Sequence, residues 1–288
     1  MISYSQNRED VVLARAFPDG TGFYVDVGAA SPSVNSVTRH FYERGWCGVN
    51  IDPLPQWHDA LVRERPRDVN LGVGVAGRSG SLLFYDVASE AAEESTFSSD
   101  VARLLRARGL NPSERSVPVT TLRHIWEEHV REPVDFLKVD VEGLELDVLR
   151  GAQWETFRPR LVLLESIQPV TWDSTGGPLE EFMAKVGYER ALFDGINHFF
   201  VERGDETLLR RLAAPANATD DYEDAQLVRL RCELERERDL GAATILRLQE
   251  RLRMSERDLL LARRDAADSA IEGRAAIGAL TELIDARD

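Results

Sequence analysis

Phe23-Tyr-Val-Asp-Val27, closed by Gly28, decides the fold. Apart from Asp26 the run is apolar on both of its alternating faces. That is the signature of a strand covered on both sides, and a glycine straight after it marks a turn into a crossover. The same punctuation recurs. Gly48-Val-Asn-Ile51 ends in Asp52-Pro53, Val69 to Val75 reads as a third strand, and Ser81 to Tyr85 as a short fourth. Val117 to Thr120 reads as extended, and Val134-Asp-Phe-Leu-Lys-Val139 and Leu161-Val-Leu-Leu164 as further buried strands. Helical periodicity fills the gaps: Ser36 to Arg44, Leu54 to Glu64, Val101 to Arg108, Leu122 to Val130, Leu144 to Arg150 with Gly151 as its C′ residue, and Leu179 to Val186. Tyr188 to Phe193 and His198 to Val201 flank Asp194-Gly195-Ile-Asn197, a hairpin signal. Strands separated by helices predict an α/β protein with a doubly wound, mostly parallel sheet that finishes in an antiparallel hairpin.

The whole chain bounds what this sheet can serve. It has 288 residues, enough for one large domain and an appendage, and 43% of them are hydrophobic, enough for a packed core. A net charge of −15 disfavours gripping nucleic acid or anionic lipid through the overall field. The longest run without Asp, Glu, Lys, Arg or His, Val27 to Thr38, is too short to span a bilayer. Arg8, Glu9 and Asp10 interrupt the start of the chain, so no signal peptide is expected and a cytoplasmic location is. Cys47 and Cys232 support neither a disulfide framework nor a cysteine zinc site. Lys138 and Lys185 are preceded by Leu137 and Ala184, so the Gly-Lys-Ser/Thr core of a P-loop is absent.

Composition changes near residue 215. The expected organisation is a body over 1–212, a polar, alanine-rich linker over 213–221 and a helical tail over 222–288. The tail carries a seam at Leu227, Leu230, Leu234, Ile245, Leu248, Leu252, Ser255 and Leu259, continuing weakly to Leu283. Its steps alternate three and four, with one extra four around Gly241, which is a heptad pattern with a stutter. This predicts a coiled coil, with self-association as the preferred reading.

Ligands of doubly wound sheets sit beyond the carboxyl ends of the strands. Three such ends carry unusual residues. Val25-Asp26-Val-Gly28 has one glycine where a dinucleotide fingerprint needs three, which argues against a nicotinamide cofactor. Asp52 closes the next strand, where a carboxylate can accept both hydroxyls of a ribose; the competing role is an N-cap for Leu54 to Glu64 with Pro53 at the first helical position. Together, a glycine turn after one strand and an acid after the next describe a nucleoside site. Third, Phe136-Leu-Lys-Val-Asp140-Val-Glu142-Gly143-Leu-Glu145 crowds carboxylates past a buried strand, and Glu165 follows Leu164 likewise. Such acids can hold an amino group, orient a hydroxyl or bind a divalent cation, for which an all-oxygen set suits Mg²⁺ or Ca²⁺; the sequence leaves a metal undecided.

Asp26-Val-Gly28-Ala, Ser36-Val-Thr38, Gly45-Trp46-Cys-Gly48-Val-Asn-Ile-Asp52-Pro53 and Asp135-Phe-Leu-Lys138-Val-Asp140-Val-Glu142-Gly143-Leu-Glu145 with Gly151 resemble the FkbM family of S-adenosylmethionine-dependent methyltransferases. Ser5-Gln6-Asn7-Arg8-Glu9-Asp10-Val-Val-Leu13 is similar to the start of one bacterial branch, and the resemblance spans roughly 3–203. One departure is Asp52, where many members carry Glu. The resemblance implies a class I methyltransferase fold and methyl transfer to a hydroxyl of a glycan or small natural-product molecule. Carried onto this chain, it implies that Asp26, Gly28 and Ala29 contact the methionine end of S-adenosylmethionine and that Asp52 holds the ribose. Asp140 and Glu142 would face the reacting centre, and Ser95-Thr96 belongs to a loop closing over the cofactor.

A hydroxyl acceptor needs its proton removed, so a nearby base is expected. The candidates are Asp140, Glu142, Glu165 and His198, with a carboxylate preferred. His58, His124 and His129 fall on helices and read as surface residues. The alternative is a non-catalytic nucleoside-binding scaffold whose tail recruits partners.

Overall fold

The computed structural model describes residues 1–87, 95–167, 175–238 and 246–266, with the side chains of 237 and 238 left aside. Two compact units emerge, one of Tyr4–Ala216 and one of Met1–Ser3 with the residues from Asn217 onward. The division lies between Ala216 and Asn217, and three N-terminal residues go with the second unit.

In chain order the elements are β1 (Ile2–Ser3), α1 (Glu9–Ala16), β2 (Phe23–Val27), α2 (Arg39–Glu43), β3 (Cys47–Ile51), α3 (Pro55–Glu64), β4 (Val69–Leu71), β5 (Gly74–Val75) and β6 (Gly80–Asp86). They continue with α4 (Ser99–Ala107), β7 (Ser113–Thr120), α5 (Leu122–His129), β8 (Phe136–Val139), α6 (Glu145–Arg150), β9 (Leu161–Glu165) and α7 (Gly176–Lys185). The chain then forms β10 (Tyr188–Phe193), β11 (Asn197–Glu202), α8 (Glu206–Arg211), β12 (Glu223–Asp224) and α9 (Ala225–Arg238).

The larger unit is built on a seven-stranded sheet ordered β10-β11-β9-β8-β2-β3-β4. Pairing is parallel from β4 through β9, and β11 runs antiparallel to both β9 and β10. Every residue of β2 and β8 is buried. Val25, Val27, Val49, Ile51, Leu137, Val139, Val162 and Leu164 form the centre of the core, which is why these strands read as apolar runs. From β2 the chain winds outward to β3 and β4, then returns to β8 on the other side. The carboxyl ends of β2 and β8 are thus the switch point where such sheets bind ligands.

Several boundaries differ from the sequence reading. The stretch Val69–Val75 is two strands, because the chain leaves the large sheet after Leu71 and β5 joins a separate sheet ordered β5-β7-β6. Helix α3 begins at Pro55 with Leu54 as its N-cap, so Asp52 does not cap it. Gly151 ends α6 in right-handed conformation, at φ −78°, rather than as a left-handed C′ residue. Its lack of a side chain is instead a matter of packing, since a Cβ there would lie 2.7 Å from the Ala76 carbonyl oxygen.

In the tail unit β1 pairs with β12 in parallel. Residues 246–266 form a second helical stretch after α9. Arg263 Nε donates to the Tyr222 hydroxyl at 3.0 Å, and Arg231 lies 3.8 Å from Glu256. In one continuous helix the first of these pairs would be about 60 Å apart, so the two helices fold back on each other. Leu227 and Leu248 are both buried, while Leu246, Met254 and Leu260 face solvent. Leu230, Leu234, Leu252 and Leu259 of the seam are half-buried; Gly241, Ile245 and the seam positions beyond Ala266 lie outside the described residues. No described helix is long and apolar enough to cross a membrane.

Candidate active site

A cleft of ≈ 390 Å³ opens at the switch point. Its floor is the turn after β2. Gly28 sits at φ +77°, and a Cβ on it would lie 1.8 Å from the Asp140 carbonyl oxygen, so only glycine lets the ends of β2 and β8 come together. Gly28, Ala29 and Ala30 all line the cleft.

One end of the cleft follows β3. Asp52 is 5% exposed and accepts hydrogen bonds from the backbone N–H of Ala30 at 2.9 Å and of Leu54 at 2.8 Å. Burial pushes its carboxyl up to about 6, against those two donors. Leu54, Phe84, Trp57 and Phe97 form an apolar cluster beside it. The indole Nε1 of Trp57 is buried there without a hydrogen-bond partner.

The other end follows β8 and β9. Asp140, Glu142 and Glu165 line it and bring carboxylate oxygens within 4.8 Å of one another. Glu142 is held in left-handed conformation, at φ 54°, between two anchors. Thr96 Oγ1 donates to its carbonyl oxygen at 2.7 Å, and the buried Glu145 carboxylate accepts from the N–H groups of Val141 and Gly143 at 3.2 and 3.0 Å. Glu145 is pushed up to about 7 by that burial. Glu165 is pushed up to about 12, first by burial and then by the charges of Asp140 and Glu142. The trio is close enough for a divalent cation to span. Lys138 already supplies positive charge to Asp140 from 3.3 Å away.

Beneath both ends lies Lys138, which the sequence reading left without a role. The parallel register of β2 and β8 sets it beside Asp26. Its ammonium donates to the Gly28 carbonyl oxygen at 2.9 Å and sits 3.3 Å from both Asp26 and Asp140. Burial alone would lower it, but the two carboxylates outweigh burial and hold it charged. Lys138 therefore ties the glycine turn to the acid that faces the cleft.

Of the expected site residues, Gly28, Ala29, Asp52, Ser95, Asp140, Glu142 and Glu165 share this one cleft. Asp26 lies below it, 1% exposed, and accepts from Thr38 Oγ1 at 3.1 Å, so it acts through Lys138. Thr96 is likewise buried and positions the Glu142 loop. His198 is 3% exposed, bonded through Nδ1 to Ser166 at 2.6 Å and through Nε2 to Glu180 at 3.1 Å, and does not line the cleft. Gln6, Trp57, Phe84, Phe97 and Ile196 line it without having been singled out. An aromatic cluster leaves little trace in sequence when its members come from a helix, a strand and a loop.

Residues 26–190, more than half of the chain, match the methyltransferase FkbM domain. The chain belongs to that family and is a methyltransferase, and its mostly parallel α/β sheet fits a methyltransferase fold. No curated protein matches it in a sequence search.

Proposed function

We propose that this methyltransferase draws its methyl group from S-adenosylmethionine and places it on a hydroxyl of a glycan or small-molecule acceptor. One observation carries the reading. The Gly28 turn and the Asp52 carboxylate end adjacent parallel strands and open into the same cleft as Asp140, Glu142 and Glu165.

The groups present suit that cofactor. Asp52 has lone pairs left for two ribose hydroxyls after accepting its two backbone donors. Trp57, Phe84 and Phe97 offer apolar faces to a purine, and the unpartnered Trp57 Nε1 offers a donor. Gly28 to Ala30 allow close approach of backbone to the amino-acid end. When bound, the cofactor supplies a methyl group on cationic sulfur. The protein's own task is then to aim an acceptor oxygen and take its proton. Asp140, Glu142 and Glu165 are the groups placed to do so, with Lys138 and Thr96 holding two of them in position.

Calorimetric titration with S-adenosylhomocysteine and with NAD tests the reading. Binding of the first alone supports it, and binding of NAD alone refutes it. Labelled methyl transfer to a panel of sugars and phenols then separates O-methylation from a scaffold that binds without turnover.

A further inference from the structure

The inference concerns the proton on Glu165, and it rests on the reading that the cleft holds S-adenosylmethionine. The carboxylate oxygens of Asp140, Glu142 and Glu165 lie within 4.8 Å of one another, so a proton on one of them relieves their repulsion. Lys138 is 3.3 Å from Asp140, and among the described residues no cation pairs with Glu165. Of Asp140 and Glu165, the carboxyl without an ammonium beside it is the one suited to carry that proton, and that is Glu165.

The groups facing Glu165 agree from every side. Asp140 and Glu142 approach from the loop after β8, and Glu145 from α6 behind them, all of them acids. Across the sheet its register partner in β11 is Asn197, a neutral amide already donating to Glu9 and Asp194. His198, next along β11, is engaged by Ser166 and by Glu180 of α7. Gln6 and Ile196 bring no charge to the cleft wall. Arg108 and Lys138 also line the cleft, but neither forms an ion pair with Glu165 among the described residues, so this end can receive a further cation, and a sulfonium is one.

We propose that Glu165 holds a proton until S-adenosylmethionine brings its positive sulfur into the cleft, releases it to solvent on that binding, and so becomes the general base only in the loaded enzyme. In the transfer step Glu165 takes the hydroxyl proton of the acceptor. The oxygen's electron pair forms the bond to the methyl carbon, and the carbon–sulfur pair stays on sulfur. Glu165 is then protonated beside a neutral thioether. That is the proton count expected when S-adenosylhomocysteine binds the free enzyme, so the cycle closes with no further proton to move before product leaves.

The test needs no acceptor. The full-length protein is titrated with S-adenosylmethionine and with S-adenosylhomocysteine, each in two buffers of different ionisation enthalpy at about pH 8, and the slope counts protons. The two ligands differ only by the sulfur-bound methyl group and its charge. The expected result is about one more proton released by S-adenosylmethionine, with the difference gone in Glu165→Gln. Equal proton counts in the wild type overturn the inference while the cofactor reading stands. A difference that persists in Glu165→Gln overturns the assignment to this residue. Should that variant fail to fold, the wild-type pair of titrations still decides the first point. If neither ligand binds, the cofactor reading fails and this inference falls with it.

Discussion

Replacing Asp52 by Asn isolates what the carboxylate contributes to cofactor binding. In the wild type each carboxylate oxygen accepts one backbone N–H, from Ala30 at 2.9 Å and from Leu54 at 2.8 Å. The second lone pair of each oxygen is what a ribose hydroxyl would use. Asn keeps one acceptor oxygen and turns the other into a donor. One backbone N–H then faces an N–H₂ group, one ribose hydroxyl loses its acceptor, and the other keeps a neutral one. A hydrogen bond to a charged group is worth about 1.5–3 kcal/mol. Loss of one such bond predicts S-adenosylhomocysteine binding weaker by about 2 kcal/mol, roughly 30-fold in Kd. Stability should fall less, because the variant also removes a buried carboxylate whose burial pushes it up to about 6. The sign with pH follows. The folded Asp52 ionises above its ordinary value, so its ionised form is penalised, and the stability that protonation lends is lost as pH rises to about 6. Ribose binding needs the ionised form. Wild-type affinity should therefore drop as pH falls below about 6, by up to roughly tenfold per pH unit, and the Asn variant should lose that slope. Calorimetry at two pH values, with a melting curve for each protein, measures both. A Kd within about threefold of wild type at pH 8 would remove Asp52 from the ribose, since that is under 1 kcal/mol.

Lys138→Met should cost about 3–5 kcal/mol of stability, because it leaves the carboxylate of Asp26, 1% exposed, without its ammonium. Denaturant unfolding checks it, and a loss under about 1 kcal/mol would mean that Lys138 is a bystander. In the tail, Leu248→Asp puts a charge on the most buried described position of 246–266. Helices of this length are marginal without packing, so far-ultraviolet circular dichroism should lose helical signal while S-adenosylhomocysteine affinity holds. Unchanged helicity would show that the two helices do not depend on their shared seam.

What could be read from the sequence, and what could not, divides along a physical line. Strands buried on both faces advertise themselves as apolar runs, so β2, β3, β8 and β9 were legible, and their parallel order followed from the helices between them. Gly28 and Asp52 were legible because strand ends of such a sheet have a known use. Lys138 was not. It interrupts Phe136-Leu-Lys-Val139 as an isolated polar residue, and its meaning appears only when register places Asp26 next to it. Gln6 and Ile196 reach the cleft from outside the matched domain, and the stretches that contain them read as a family likeness and a hairpin turn rather than as cleft wall.

The tail shows the same limit from the other direction. A three-four seam states that two helical faces want each other, but it does not say whether both belong to one chain. The pairs 222–263 and 231–256 bring the two described helices together within one chain, both in the same antiparallel sense. Periodicity thus reports the appetite of a surface, whereas the identity of its partner is a fact about topology. The acid cluster follows the same logic. Asp140, Glu142 and Glu165 were legible as acids at strand ends, yet whether they share a proton, hold an ion or wait for a cation depends on Lys138 lying beneath one of them and not another. On the proposal above, that asymmetry makes Glu165 the member of the trio whose charge a cationic ligand changes.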